Sequence, residues 1–84
     1  MNSYTISGYF LYDIRETTQV YEVIAISHKQ AMFYLEQKFK IATSLKQAYY
    51  FKHKLQTDNI FIITNIQEEK INDEYILGTI NKLL

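Results

Sequence analysis

The chain has 84 residues, 48% of them apolar and 21% charged, with a formal net charge of zero; these are globular values that exclude a disordered chain and leave room for one domain. It contains no cysteine, which excludes disulfide scaffolds, thiolate metal sites and thiol catalysis. No apolar run reaches the roughly 20 residues of a membrane span, and the start Met1-Asn2-Ser3-Tyr4 lacks the basic and apolar regions of a secretory leader, so a cytoplasmic location without membrane contact is expected.

In chain order, residues 4–14 alternate as a strand, with Tyr4, Ile6, Gly8, Phe10 and Tyr12 on one face. Gly8 inside that strand predicts a bulge or the close approach of another element. The polar stretch 13–18 reads as a hairpin connection. A second strand over 19–26 is apolar on both faces, which predicts a central strand covered on both sides for part of its length. Ser27 and Gln30 form a capping box and open a helix whose stripe is His28, Ala31, Met32, Leu35, Phe39 and Ala42. Thr43-Ser44 interrupts it. Ser44 and Gln47 form a second capping box, and the next helix, 45–56, turns Leu45, Ala48, Phe51 and Leu55 inward.

Residues 57–59 are a turn cluster, and 60–67 carry five β-branched residues plus Phe61, a strong strand signal. The acids and lysine at 68–70 read as a charged loop. Asn72 then caps a last helix, with Asp73 and Glu74 at its positive end and Ile76, Leu77, Ile80, Leu83 and Leu84 as its stripe. Gly78 weakens that reading and leaves a fourth strand over 75–80 as the alternative. The expected fold is a single α+β domain, residues 1–84, with element order ββααβα. Its three-stranded, mainly antiparallel sheet carries helices packed on it.

Chemistry-bearing motifs are scarce. His28 and His53 share no ligand spacing with carboxylates, and a packed or capping role suits His28 better than a metal. The acids Glu68, Glu69, Asp73 and Glu74 match no calcium loop. Ser7, Ser27 and Ser44 each have a strand or cap role, and the two glycines, Gly8 and Gly78, cannot cradle a phosphate. The expectation is a protein that is not an enzyme and needs neither cofactor nor metal. The abundance of Ile, Lys, Asn and Tyr suits AT-rich coding DNA, as in a low-GC bacterium or a mobile element such as a phage.

Charge is distributed unevenly. From residue 27 to 54 six lysines face one acid, Glu36, a local net of +5; the segments 1–26 and 55–84 carry −2 and −3. At 100° per residue the first helix turns Lys29, Phe33 and Lys40 outward together with Glu36, and the second turns Lys46, Tyr50, His53 and Lys54 outward, with Tyr49 at the border. These eight residues, Glu36 aside, are the candidate binding residues. Rings among lysines suit three roles: internal packing of Phe33 and Tyr50 on each other or under the last helix, a protein contact, or phosphate neutralisation with base stacking.

The stretches Ile6-Ser7-Gly8-Tyr9-Phe10 and Tyr21-Glu22-Val23-Ile24-Ala25, followed by Ala31, resemble the archaeal ribosomal protein LX family. The resemblance covers about the first forty residues and implies the order strand, strand, helix, strand. The family's strongly basic connection after the helix has no counterpart here, and no functional residue carries over.

The functional expectation is therefore a small protein-binding module: an adaptor, accessory subunit or inhibitor. The alternative is a weakly sequence-specific nucleic-acid- or ribonucleoprotein-binding module on the same helical faces, weak because lysine without arginine reads bases poorly. A protein partner is favoured over nucleic acid, and a homo-oligomer stays open.

Overall fold

A computed structural model describes residues 1–43, 60–72 and 74–84. The elements are β1 (Asn2–Phe10), β2 (Gln19–Ala25), α1 (His28–Phe39), β3 (Phe61–Lys70) and β4 (Ile80–Lys82). They build one four-stranded sheet in the order β3-β1-β2-β4, antiparallel throughout. The expected α+β fold, ββααβα with helices packed on three strands, is thus corrected: the described residues form four strands and one short helix, α1, a mostly β arrangement. The second helix, over 45–56, lies outside them.

The N-terminal half follows its side-chain pattern except at the end of the first strand, which stops at Phe10 and not at residue 14: Leu11 and Tyr12 already form a turn, and both are exposed. Alternation along β1 sends Tyr4 and Ile6 to the face that α1 covers, where they join Tyr21, Val23 and Ala25 of β2, Ala31 and Leu35 of α1, and Ile41 and Phe61. Aromatic rings lock this core: Phe61 meets Phe10 at 5.1 Å and Tyr21 at 5.9 Å, both edge to face, and Tyr21 lies 5.1 Å from Phe39. Burial raises the pKa of the Tyr21 hydroxyl, with a smaller push from Tyr12. The opposite sheet face is polar. There Ser3 Oγ and Asn81 Nδ2 both donate to the Glu22 carboxylate, at 3.1 and 3.2 Å. Ile24 points to this same face and is buried, so β2 is central and covered on both sides for part of its length, as its composition predicts.

Helix α1 starts where the capping box places it. Ser27 Oγ accepts the Gln30 N–H at 3.1 Å, and Gln30 Oε1 accepts the N–H of Ile26 at 2.9 Å, one residue ahead of the usual reciprocal bond. The helix ends earlier than Thr43-Ser44. Lys40 adopts the left-handed conformation (φ 53°), and the N–H groups of Lys40 and Ile41 both reach the Glu36 carbonyl. The chain then turns back, and Ala42 bridges Ile60 in parallel, its carbonyl accepting the Phe61 N–H at 2.8 Å. That bond fixes where β3 begins.

Two expectations in the C-terminal third are overturned. Residues 68–70 continue β3 as its last three positions, because Asn2, Ser3 and Tyr4 of β1 offer them ladder partners. Beyond Asn72, a turn and a short strand replace the expected helix. The Asn72 side chain accepts the Glu74 N–H at 3.4 Å, and Gly78 takes φ 86°, which no right-handed helix contains. The free edge of β2 captures the residues beyond Gly78, so a fourth strand forms, at Ile80–Lys82 and not over 75–80.

Gly8 marks both features its sequence context predicts. The β1–β3 register shifts between Ser7 and Gly8, leaving Thr64 as the extra residue of a bulge. A Cβ at Gly8 would run into the Ile62 carbonyl oxygen and sit 2.8 Å from the Phe61 ring. Gly8→Ala is expected to destabilise the protein by about 1–3 kcal/mol, read as a lower urea midpoint. In the β1–β2 connection the N–H groups of Arg15 and Thr17 donate to the Asp13 carboxylate at 3.0 and 3.1 Å and hold its pKa below the ordinary aspartate value. With its folded-state pKa lowered, Asp13 stabilises the turn above the unfolded-state pKa and loses that support as pH falls through the folded one. Acid titration by NMR should shift the Arg15 and Thr17 amides together with the Asp13 carboxyl.

Candidate functional site

Three of the eight expected binding residues lie among the described residues. Lys29 and Phe33 are one helical turn apart on the exposed side of α1, and Phe33 keeps 54% of its surface exposed. With Ile26, Ser27 and Gln30 they line an open depression of about 310 Å³. Ile26 is itself 61% exposed, so the lining of this depression includes two large exposed apolar side chains and a lysine. Tyr34 stands beside Phe33, ring centroids 6.1 Å apart. Lys40 is not part of the group: it caps the far end of α1, roughly 16 Å from Lys29 at 1.5 Å per residue. Lys46, Tyr49, Tyr50, His53 and Lys54 lie outside the described residues.

Glu36 departs from its expected place on the outward face. It is buried, and one carboxylate oxygen accepts the Thr43 hydroxyl at 3.0 Å. Periodicity puts it beside Lys29, but the chain returning after Lys40 covers it. Helical geometry alone carries no information about that return.

A second constellation was not legible in the sequence. His28 Nε2 lies 3.2 Å from Glu68 Oε2, and its ring meets Tyr4 edge-on at 4.9 Å. Asn2 Nδ2 donates to the Tyr4 hydroxyl at 3.1 Å and to Glu68 Oε1 at 2.9 Å. The four side chains close a ring that ties the start of α1 to β1 and β3. Linear spacing could not reveal it, because Asn2 and Glu68 are 66 positions apart and meet only through the β1–β3 register. His28 is neither packed in the core nor the helix cap, the roles its position suggested; it lies half exposed, with an acid partner that the sequence did not show.

Strand β3 splits the acidic cluster. Glu68 turns toward His28, while Glu69, the next residue along the strand, pairs with Ser3 on the polar face. Asp73 lies outside the described residues. Among the described residues no group of three or more His, Asp or Glu side chains is placed to hold a metal ion. The His28–Glu68 pair is about half exposed on both sides, at 54% and 47%. Water screens such a pair, so its chemical capacity is that of a surface strap.

A double-mutant cycle with His28→Ala and Glu68→Ala, read by urea unfolding, is expected to give a coupling of about 0.2–1 kcal/mol. No protein-family model, no curated protein and no solved structure matches this chain.

Proposed function

We propose that this chain is a non-catalytic protein-binding module, an adaptor, accessory subunit or inhibitor, that receives its partner at the start of α1. The observation that carries the reading is the exposure of Ile26 and Phe33 in the lining of one depression that Lys29 and Gln30 also line. Phe33 contributes little to the core cluster, which Ala31 and Leu35 supply from the same helix. A half-exposed aromatic beside an exposed isoleucine is the composition of a contact centre, and a polar rim gives it orientation. The fitting ligand is a protein segment that offers an apolar side chain with a carboxylate near it. The nucleic-acid alternative needs lysines gathered about the ring; among the described residues that line the depression, Phe33 is joined by Ile26 and by Lys29. The absence of cysteine suits work in a reducing cytoplasm.

The test is co-purification from the native cell with the wild-type chain and with Phe33→Ala combined with Ile26→Ala. The variant is expected to stay folded, within about 1 kcal/mol of wild type because both side chains are largely exposed, and to lose the protein partner. Undiminished recovery by a folded variant would overturn the reading. So would recovery of nucleic acid in place of protein, with a gel shift that weakens as salt rises.

A further inference from the structure

Strand β4 stands at the end of the sheet, paired with β2 and with no strand on its other side among the described residues. The bonds at the two ends of that ladder show which backbone groups are engaged. The Ile24 N–H donates to the Thr79 carbonyl at 3.0 Å, and the Leu83 N–H donates to the Val20 carbonyl at 2.7 Å. Alternate residues face the partner in an antiparallel ladder, so Thr79, Asn81 and Leu83 turn toward β2. Ile80 and Lys82 therefore turn their N–H and C=O groups outward. Two donors and two acceptors along an extended edge select one kind of ligand, another strand.

The flanks of this edge point to the identity of that strand. Of the ten exposed large apolar residues among those described, five (Tyr75, Ile76, Leu77, Leu83 and Leu84) lie just before and just after β4. An antiparallel pairing about a twofold axis through Asn81 sets Ile80 opposite Lys82 of the second copy, and exchanges all the outward groups of both residues. It keeps the two lysines from facing each other. It also carries Leu83 and Leu84 of each copy toward the 76–77 stretch of the other. Asn81 meets its own copy on the axis, where an amide supplies a donor and an acceptor at once. Edges that avoid pairing carry charge, as β3 does with Glu68, Glu69 and Lys70; β4 has Lys82 alone, with apolar residues at both ends.

We propose that two copies of this chain join through β4 and make the two four-stranded sheets one continuous antiparallel sheet. The contact uses the sheet edge and not the depression at Phe33, so it stands independently of the protein-binding reading.

Sedimentation equilibrium of the whole chain over a range of concentrations tests it. Wild type should approach twice the monomer mass. Lys82→Pro removes an outward N–H from each copy without touching the β2 ladder, and should weaken self-association about thirtyfold. Lys82→Ala should leave it nearly unchanged. In hydrogen exchange of the wild type, the Ile80 and Lys82 amides should slow as concentration rises, while Asn81 stays protected throughout. A chain that remains monomeric at its highest soluble concentration overturns the proposal, as does a Lys82→Pro variant that associates as tightly as wild type. If that variant loses its fold, the exchange pattern decides: Ile80 and Lys82 amides indifferent to concentration overturn the proposal.

Discussion

The sheet depends on one requirement: both edges of the β1–β2 hairpin must find backbone partners. Each strand of that hairpin buries its inner-face side chains, so an unpaired N–H or C=O beside them would cost desolvation without a bond in return. β3 meets the requirement on the β1 side along its full length, including the charged residues 68–70. The 79–84 segment meets it on the β2 side. Local preference yields in both places. A charged tripeptide becomes strand, and an apolar stripe with helical spacing becomes a turn and an edge.

The same requirement decides how much of the fold was legible. Where a side-chain pattern and a backbone partner agree, as in the hairpin, the Ser27 cap and the start of β3, reading residue by residue is enough. The Gly8 bulge was visible for the same reason, since a glycine amid large apolar residues marks a point where a side chain has no room. The last helix failed because its stripe also suits an edge strand: Ile80 packs against the core, while Ile76, Leu77, Leu83 and Leu84 stay exposed. Gly78 was the residue that told against it, and its positive φ is the physical content of that warning.

The surface was legible to a lesser degree. Lys29 and Phe33 share a face because helical geometry guarantees it, and Phe33 remains exposed. Ile26 joins them through the turn from β2 into α1, and Glu36 leaves them through the turn after Lys40; both are tertiary events. The ring of Asn2, Tyr4, His28 and Glu68 is more distant still from sequence reasoning. It exists only once β1 and β3 are in register, with no residue type in it unusual enough to announce the others.

The placement of β3 and β4 on opposite sides of the hairpin has a kinetic consequence. Thirty-five residues separate the end of β2 at Ala25 from the start of β3 at Phe61. A ribosome working at about 5–20 residues per second takes roughly two to seven seconds to cross that interval. Throughout that time the nascent hairpin has two bare edges and, among the described residues, can gain α1 and the Ile41 turn as cover. Non-local pairing of this kind makes folding slow and leaves strand edges open to aggregation. The period of greatest hazard for this protein therefore falls during its own synthesis, before the strands that close its sheet have been made.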